Sequence, residues 1–65
     1  MKRWNNKVNK KVENKKIDMF LDDIRAICKK HKLSLSHEDE HGSFEVVQYS
    51  EQNIEWLLNA DDATF

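Results

Sequence analysis

One amphipathic stripe dominates the sequence and limits what the chain can fold into. Acidic residues lie early in the segment around it and basic residues lie late, at 29–31, which is the order that a helix dipole favours. The pattern predicts a helix over 17–31, whose start could extend back to near Asn14. Cys28 is expected to be a small buried hydrophobe rather than a nucleophile. The apolar positions, spaced by three and four residues, are Ile17, Phe20, Leu21, Ile24, Ile27 and Cys28.

Two short β-like segments follow this helix. Residues 33–37 alternate apolar and polar, and residues 43–49 are rich in β-formers. Gly42, the only glycine, ends the polar stretch between them and adopts a positive φ at low cost. The pattern predicts a hairpin with one face on the helix and the other, with Val47 and Tyr49, toward another subunit or a ligand. The residues expected to face the helix are Leu33, Leu35, Phe44 and Val46.

A second helix is expected over residues 50–60. Ser50 is a good N-cap, and Glu51 suits the first turn. Trp56 lies off the apolar stripe, and residues 61–65 are expected to be a short tail. The apolar stripe itself consists of Ile54, Leu57 and Leu58.

Charge is distributed unevenly along the chain. Residues 1–16 carry seven basic residues against one acidic, whereas residues 17–65 carry four basic against eleven acidic. Trp4, Val8 and Val12 give only a faint helical spacing, so we expect an arm that is disordered, or helical only when docked on a partner. A solvated tail and an arm that neutralises phosphates both fit this charge, and the acidic remainder argues against a duplex-binding domain.

These segments predict an α+β fold in one small domain. We expect a helix, a β-hairpin and a helix (αββα) over residues 15–62, after a basic Lys/Asn-rich arm over residues 1–14. A chain of 65 residues, 38% hydrophobic and 35% charged, has little apolar surface to bury. Its single cysteine cannot form an intramolecular disulfide, which favours a reducing intracellular setting and self-association as the source of stability. Neither a membrane span nor a signal peptide is expected.

The segment from His37 to His41 satisfies the H-E-x-x-H pattern of zinc proteases. That chemistry requires a helix, because only helical spacing places both imidazoles on one metal. The flanks here are β-like and Gly42 follows at once, so we expect no zinc hydrolysis and no catalytic residue. Three alternatives remain: a polar hairpin turn, an adventitious metal site formed by His37, His41 and a carboxylate, and a ligand site.

In the ligand-site interpretation, a histidine donates to phosphate or stacks on a base. Glu38 or Asp39 accepts from the edge of guanine, and aromatic rings supply stacking faces. Arginine or lysine side chains, some from a neighbouring subunit, hold phosphates. Phe44 is expected in the core, and Trp56 suits subunit contact or ligand stacking equally. The candidate ligand-binding residues are His37, Glu38, Asp39, His41, Ser43, Tyr49, Trp56, Arg3 and Arg25.

The segment Ser36–Phe44 reads Ser-His-Glu-Asp-Glu-His-Gly-Ser-Phe and precedes a helix with Trp56-Leu57. Across residues 17–58 the sequence resembles small phage and prophage proteins with a Ser-His-Glu-Asp-x-His-Gly-x-Phe core. Some small phage proteins sequester the cyclic nucleotide signals of host defence systems such as CBASS or Thoeris without cleaving them. The resemblance implies a non-enzymatic protein in the host cytoplasm, without cofactor. Glu40 departs from the pattern by adding a third consecutive acid, which disfavours phosphate at this turn.

Three functions therefore remain open. The first is a homo-oligomer that sequesters a cyclic nucleotide such as 3′3′-cGAMP. The second is an inhibitor that binds a host protein through an acidic and aromatic surface with Tyr49 and Trp56. The third, an accessory to nucleic acid through the basic arm, is the least expected.

Overall fold

The computed structural model describes residues 1–64 and has two helices and two antiparallel hairpins. This confirms the α+β class. The elements in chain order are β1 (Lys2–Asn5), β2 (Lys10–Glu13), α1 (Lys15–His31), β3 (Leu33–His37), β4 (Phe44–Gln48) and α2 (Glu51–Leu58).

Both helices begin where their capping residues predict. The Asn14 side chain accepts hydrogen bonds from the backbone N–H groups of Lys16 and Ile17 at the start of α1. Lys32 ends α1 in the left-handed conformation, at φ 58°. Ser50 caps α2 by accepting from the Asn53 N–H.

The expectation of a disordered or helical arm is wrong, because the first fourteen residues contain a β-hairpin. Strands β1 and β2 pair from Lys2↔Glu13 to Asn5↔Lys10. The Asn5 side chain folds the connection by accepting from the N–H groups of Lys7 and Val8, as asparagine does in turns.

The N-terminal hairpin is attached to the rest of the chain by Arg3, whose side chain is buried at 3% exposure. Nη1 of Arg3 donates to the carbonyl oxygens of Leu58 and Ala60, each at 2.9 Å. Its Nη2 lies 2.8 Å from Oδ1 of Asp18 in α1. One arginine therefore connects β1 to both helices.

The prediction of a short C-terminal tail over residues 61–65 is wrong at Asp62, because this residue is buried. The Asp62 N–H donates to the Trp4 carbonyl at 2.7 Å, and the Asn6 N–H donates to the Asp62 carbonyl at 3.2 Å. The Asp62 carboxylate accepts from Thr64 and Asn14. The chain ends thus meet through this aspartate, and residue 65 lies outside the described residues.

The second hairpin has the expected strands but the opposite orientation. Its register runs from Leu33↔Gln48 to His37↔Phe44. Ser34, only 1% exposed, lies on the covered face, where its hydroxyl donates to the Gln48 carbonyl and accepts from Asn53 of α2. Four residues that were expected to face the helix lie instead on the face opposite Ser34, and all four are exposed: Leu33, Leu35, Phe44 and Val46.

The buried apolar residues among the described 64 are Leu21, Cys28 and Ile54. They come from the inner faces of α1 and α2, and the free thiol of Cys28 is buried as expected. In the part of the chain that the structure describes, neither helix has the length and apolar character needed to cross a membrane.

Candidate functional site

The loop between β3 and β4 is a polar turn organised by Glu38. The Glu38 carboxylate accepts from the backbone N–H groups of Glu40 and His41, each at 2.7 Å. These bonds, that from His41 above all, hold the pKa of Glu38 below its usual value of 4.5. The Glu38 N–H donates to the Ser43 carbonyl at 2.7 Å, and Gly42 supplies the positive φ of 69° that closes the turn. Glu38 is therefore used to fold the turn.

The two imidazoles of the turn have separate carboxylate partners. Nδ1 of His37 lies 3.3 Å from Oδ1 of Asp39, and Nδ1 of His41 lies 3.2 Å from Oε2 of Glu38. Ligand atoms of Glu38, Glu40 and His41 lie within 4.8 Å of one another, and His37 is not part of that group. Because this segment is a turn, the H-E-x-x-H spacing lacks the helix on which zinc binding to both histidines depends.

Next to the turn lies an aromatic groove, which we define by Leu35, His37, Phe44 and Trp56. Its volume is about 210 Å³. The rings of His37 and Phe44 meet edge to face, with centroids 5.7 Å apart. Phe44 is 78% exposed and Trp56 is 64% exposed. The structure thus brings together His37 and Trp56, two predicted ligand residues, and adds Phe44, whose expected place in the core is wrong.

A second groove adjoins the first and shares Leu35 with it. This apolar groove, with a volume of about 220 Å³, lies between α1 and the hairpin. Ile27, Leu33 and Val46 also line it. Sequence reasoning missed this groove, although Ile27 is on the predicted apolar stripe of α1.

Tyr49 lies elsewhere, in an open groove of about 370 Å³ with Lys29, Lys32 and Glu51. Its hydroxyl donates to Oε1 of Glu51 at 2.9 Å. Burial raises the pKa of Tyr49, and the Glu51 carboxylate adds to the shift. Tyr49 therefore does not line the aromatic groove, but it lies beside two lysines.

The two arginines expected to hold phosphate lie beside carboxylates. Arg3 and Arg25 line a common groove with Asp18 and Asp22. The terminal nitrogens of Arg3 are occupied by its contacts within the chain, and Nη2 of Arg25 lies 3.2 Å from Oδ1 of Asp22. We assign Arg3 a structural role, because binding phosphate there would mean breaking its attachment to both helices.

No protein-family model, curated protein or solved structure matches this chain in the comparisons made. The fold and the grooves define a small α+β protein whose described part has more large apolar side chains exposed than buried.

Proposed function

We propose that this protein is a non-enzymatic, phage-encoded anti-defence protein that sequesters a cyclic nucleotide immune signal in the host cytoplasm. The observation that supports it is the aromatic groove, in which His37, Phe44 and Trp56 present ring faces and edges to solvent. Stacking of a base on an aromatic side chain contributes about 1–3 kcal/mol and requires no catalytic group.

The turn provides the polar contacts for a base that is stacked in this groove. The Asp39 side chain is 98% exposed, and its only hydrogen-bonding neighbour among the described residues is His37. An exposed carboxylate at this position can accept from the two adjacent N–H donors on the edge of guanine. Guanine is therefore the base that we propose for the site.

The size of the groove requires a second copy of the chain. A volume of about 210 Å³ is below the roughly 300–1,000 Å³ of typical small-molecule sites. Two copies with their aromatic grooves facing each other would enclose a ligand with two bases. Because Glu38, Asp39 and Glu40 repel phosphate, we place the phosphates away from the turn, on basic side chains outside the aromatic groove.

Calorimetric titration with 3′3′-cGAMP, and in parallel with cyclic ADP-ribose isomers, tests the proposal. We expect tight binding of one signal, and intact ligand after heat denaturation of the protein. Trp56→Ala should weaken binding by about 5- to 150-fold, the equivalent of about 1–3 kcal/mol. Trp4→Ala, which removes an indole outside the groove, should leave affinity unchanged. A cleaved product would indicate an enzyme, and no retention of any of these signals would overturn the proposal.

The alternative is an inhibitor that binds a host protein through the same exposed side chains. Exposed Trp56 and Phe44 favour it, because aromatic residues dominate the energetics of protein interfaces. Pull-down from host lysate distinguishes the two functions. One stoichiometric partner, lost in Trp56→Ala and retained in Trp4→Ala, would favour inhibition.

A further inference from the structure

The aromatic groove and the apolar groove together form a single exposed surface, which we call the apolar face. We infer that a second copy of this chain covers the apolar face in a symmetric dimer, in which the two apolar grooves pack together and the two aromatic grooves face each other across the space for a ligand. This dimer would supply the second copy that the proposed function requires, and its biological role rests on that proposal. The observations that support the dimer itself involve no ligand. The apolar face consists of Ile27, Leu33, Leu35, Phe44, Val46 and Trp56.

The face is continuous because Leu35 lines both grooves. On one side of Leu35 lie Ile27 and Val46, which are 57% and 67% exposed. On the other side lie Phe44 and Trp56. Helix α1, both strands of the second hairpin and helix α2 therefore contribute to one surface.

The area of the face approaches what a dimer needs. The exposed fractions of Phe44 and Trp56 alone correspond to roughly 200–350 Å² if a complete aromatic side chain presents roughly 150–250 Å², and the four aliphatic residues of the face add to this area. A standard interface buries about 800 Å² on each partner, including its polar rim. The rim of this face, with residues such as His31 and Asn53, supplies part of the difference.

The shortage of a core favours a second copy over a foreign protein. Three apolar residues are buried among those that the structure describes, against six on the apolar face. Chains of this length without disulfides or metals commonly rely on oligomerisation for stability. A copy of the same chain is present wherever the protein is made, whereas a foreign partner is not.

The chemistry of the face also suits pairing with itself. In a symmetric dimer the same patch of both chains forms the interface, so a charge near the two-fold axis would meet a like charge at a cost of several kcal/mol. The residues that line the two grooves include no Lys, Arg, Asp or Glu, in a chain of which 35% of residues are charged. Self-pairing therefore brings no charge repulsion at the centre of the interface.

Sedimentation velocity from low micromolar to submillimolar concentration, without nucleotide, tests the inference. The wild-type chain should sediment as a species of twice 7.8 kDa. Val46→Glu should abolish the dimer, because it places two like charges in the interface. The matched control Val8→Glu, at an exposed valine of the N-terminal hairpin, should leave the dimer intact.

A second variant, Phe44→Asp, serves if Val46→Glu fails to fold, since Phe44 contributes little to the core of one chain. Circular dichroism establishes that each variant is folded. A wild-type monomer at every concentration, or dimers in both folded variants, would overturn the inference. A dimer that binds no cyclic nucleotide would refute the proposed function alone, whereas a monomer that binds one would refute the dimer and the two-copy site but leave sequestration by a single chain.

Discussion

Replacing Arg3 by glutamine tests whether the packing of the N-terminal hairpin against both helices stabilises the fold. The substitution removes the ion pair with Asp18, and glutamine has a shorter, uncharged side chain to offer to the carbonyl groups of Leu58 and Ala60, to which Nη1 of Arg3 donates. Hydrogen bonds to charged groups contribute about 1.5–3 kcal/mol each. Asp18 is 24% exposed and regains water when its partner is lost. We therefore expect a loss of about 3 kcal/mol in the free energy of unfolding.

Urea unfolding at a fixed protein concentration measures this loss, since the midpoint of a self-associating chain depends on concentration. With a slope of about 1 kcal/mol per molar urea for a chain of this size, the midpoint should fall by about 3 M. The matched control is Arg25→Gln, whose arginine forms an exposed i,i+3 pair with Asp22. That pair should contribute less than about 0.5 kcal/mol.

The pKa of Asp18 gives a second readout of the same substitution. The Arg3 side chain is the main cause that holds the pKa of Asp18 below 3.8. In Arg3→Gln that pKa should rise part of the way back, as seen by NMR of the carboxyl carbon. Equal midpoints for Arg3→Gln and Arg25→Gln, with an unchanged pKa of Asp18, would refute the reasoning.

Three further predictions concern the chain ends and the turn. The pKa of Asp62 is lowered from 3.8 to about 2, mainly by the hydrogen bond from the Thr64 hydroxyl. The stability that Asp62 confers is therefore complete above about pH 4 and is lost as the pH falls toward 2. In Asp62→Asn, the free energy of unfolding in urea should lose this dependence on pH. The NMR chemical shift of the His41 backbone amide proton should follow the protonation of Glu38, whose pKa lies below 4.5, and this pH dependence should vanish in Glu38→Gln. Gly42→Ala should lower the free energy of unfolding by about 1–2 kcal/mol because the φ of +69° disfavours a residue with a Cβ. The added Cβ meets nothing within 4 Å, so no clash adds to this loss. An unchanged melting temperature would contradict the turn geometry.

Local signals predicted the elements from residue 14 onward. Asn14 and Ser50 cap the helices through hydrogen bonds to residues two or three positions away, so a short window of sequence contains the whole interaction. Gly42 likewise closes a turn whose partners are its neighbours. The polar turn was therefore predictable from the local sequence.

The packing of the N-terminal hairpin onto the rest of the chain could not be predicted because the partners are distant in sequence. Arg3 donates to carbonyl groups 55 and 57 residues away, and Asp62 meets Asn5 and Trp4 across the length of the chain. A run of lysine and asparagine contains no local sign of such contacts. The charge pattern was recognised, but the fold of residues 1–14 was not.

The orientation of the second hairpin was predicted wrongly for a different reason. Alternation determines which residues share a sheet face, and it does not determine which face the helices cover. The small side chain of Ser34, with its hydroxyl bonded to Gln48 and Asn53, lets α2 pack closely on the serine face. The larger apolar residues of the hairpin, which the sequence analysis assigned to the interior, are therefore exposed and form part of the apolar face.

Native mass spectrometry of the protein with 3′3′-cGAMP tests the central claim most directly, since it weighs chain and ligand together. We expect two chains without nucleotide, and two chains with intact ligand when 3′3′-cGAMP is added. A single chain under both conditions, or ligand held by one chain, would contradict this claim.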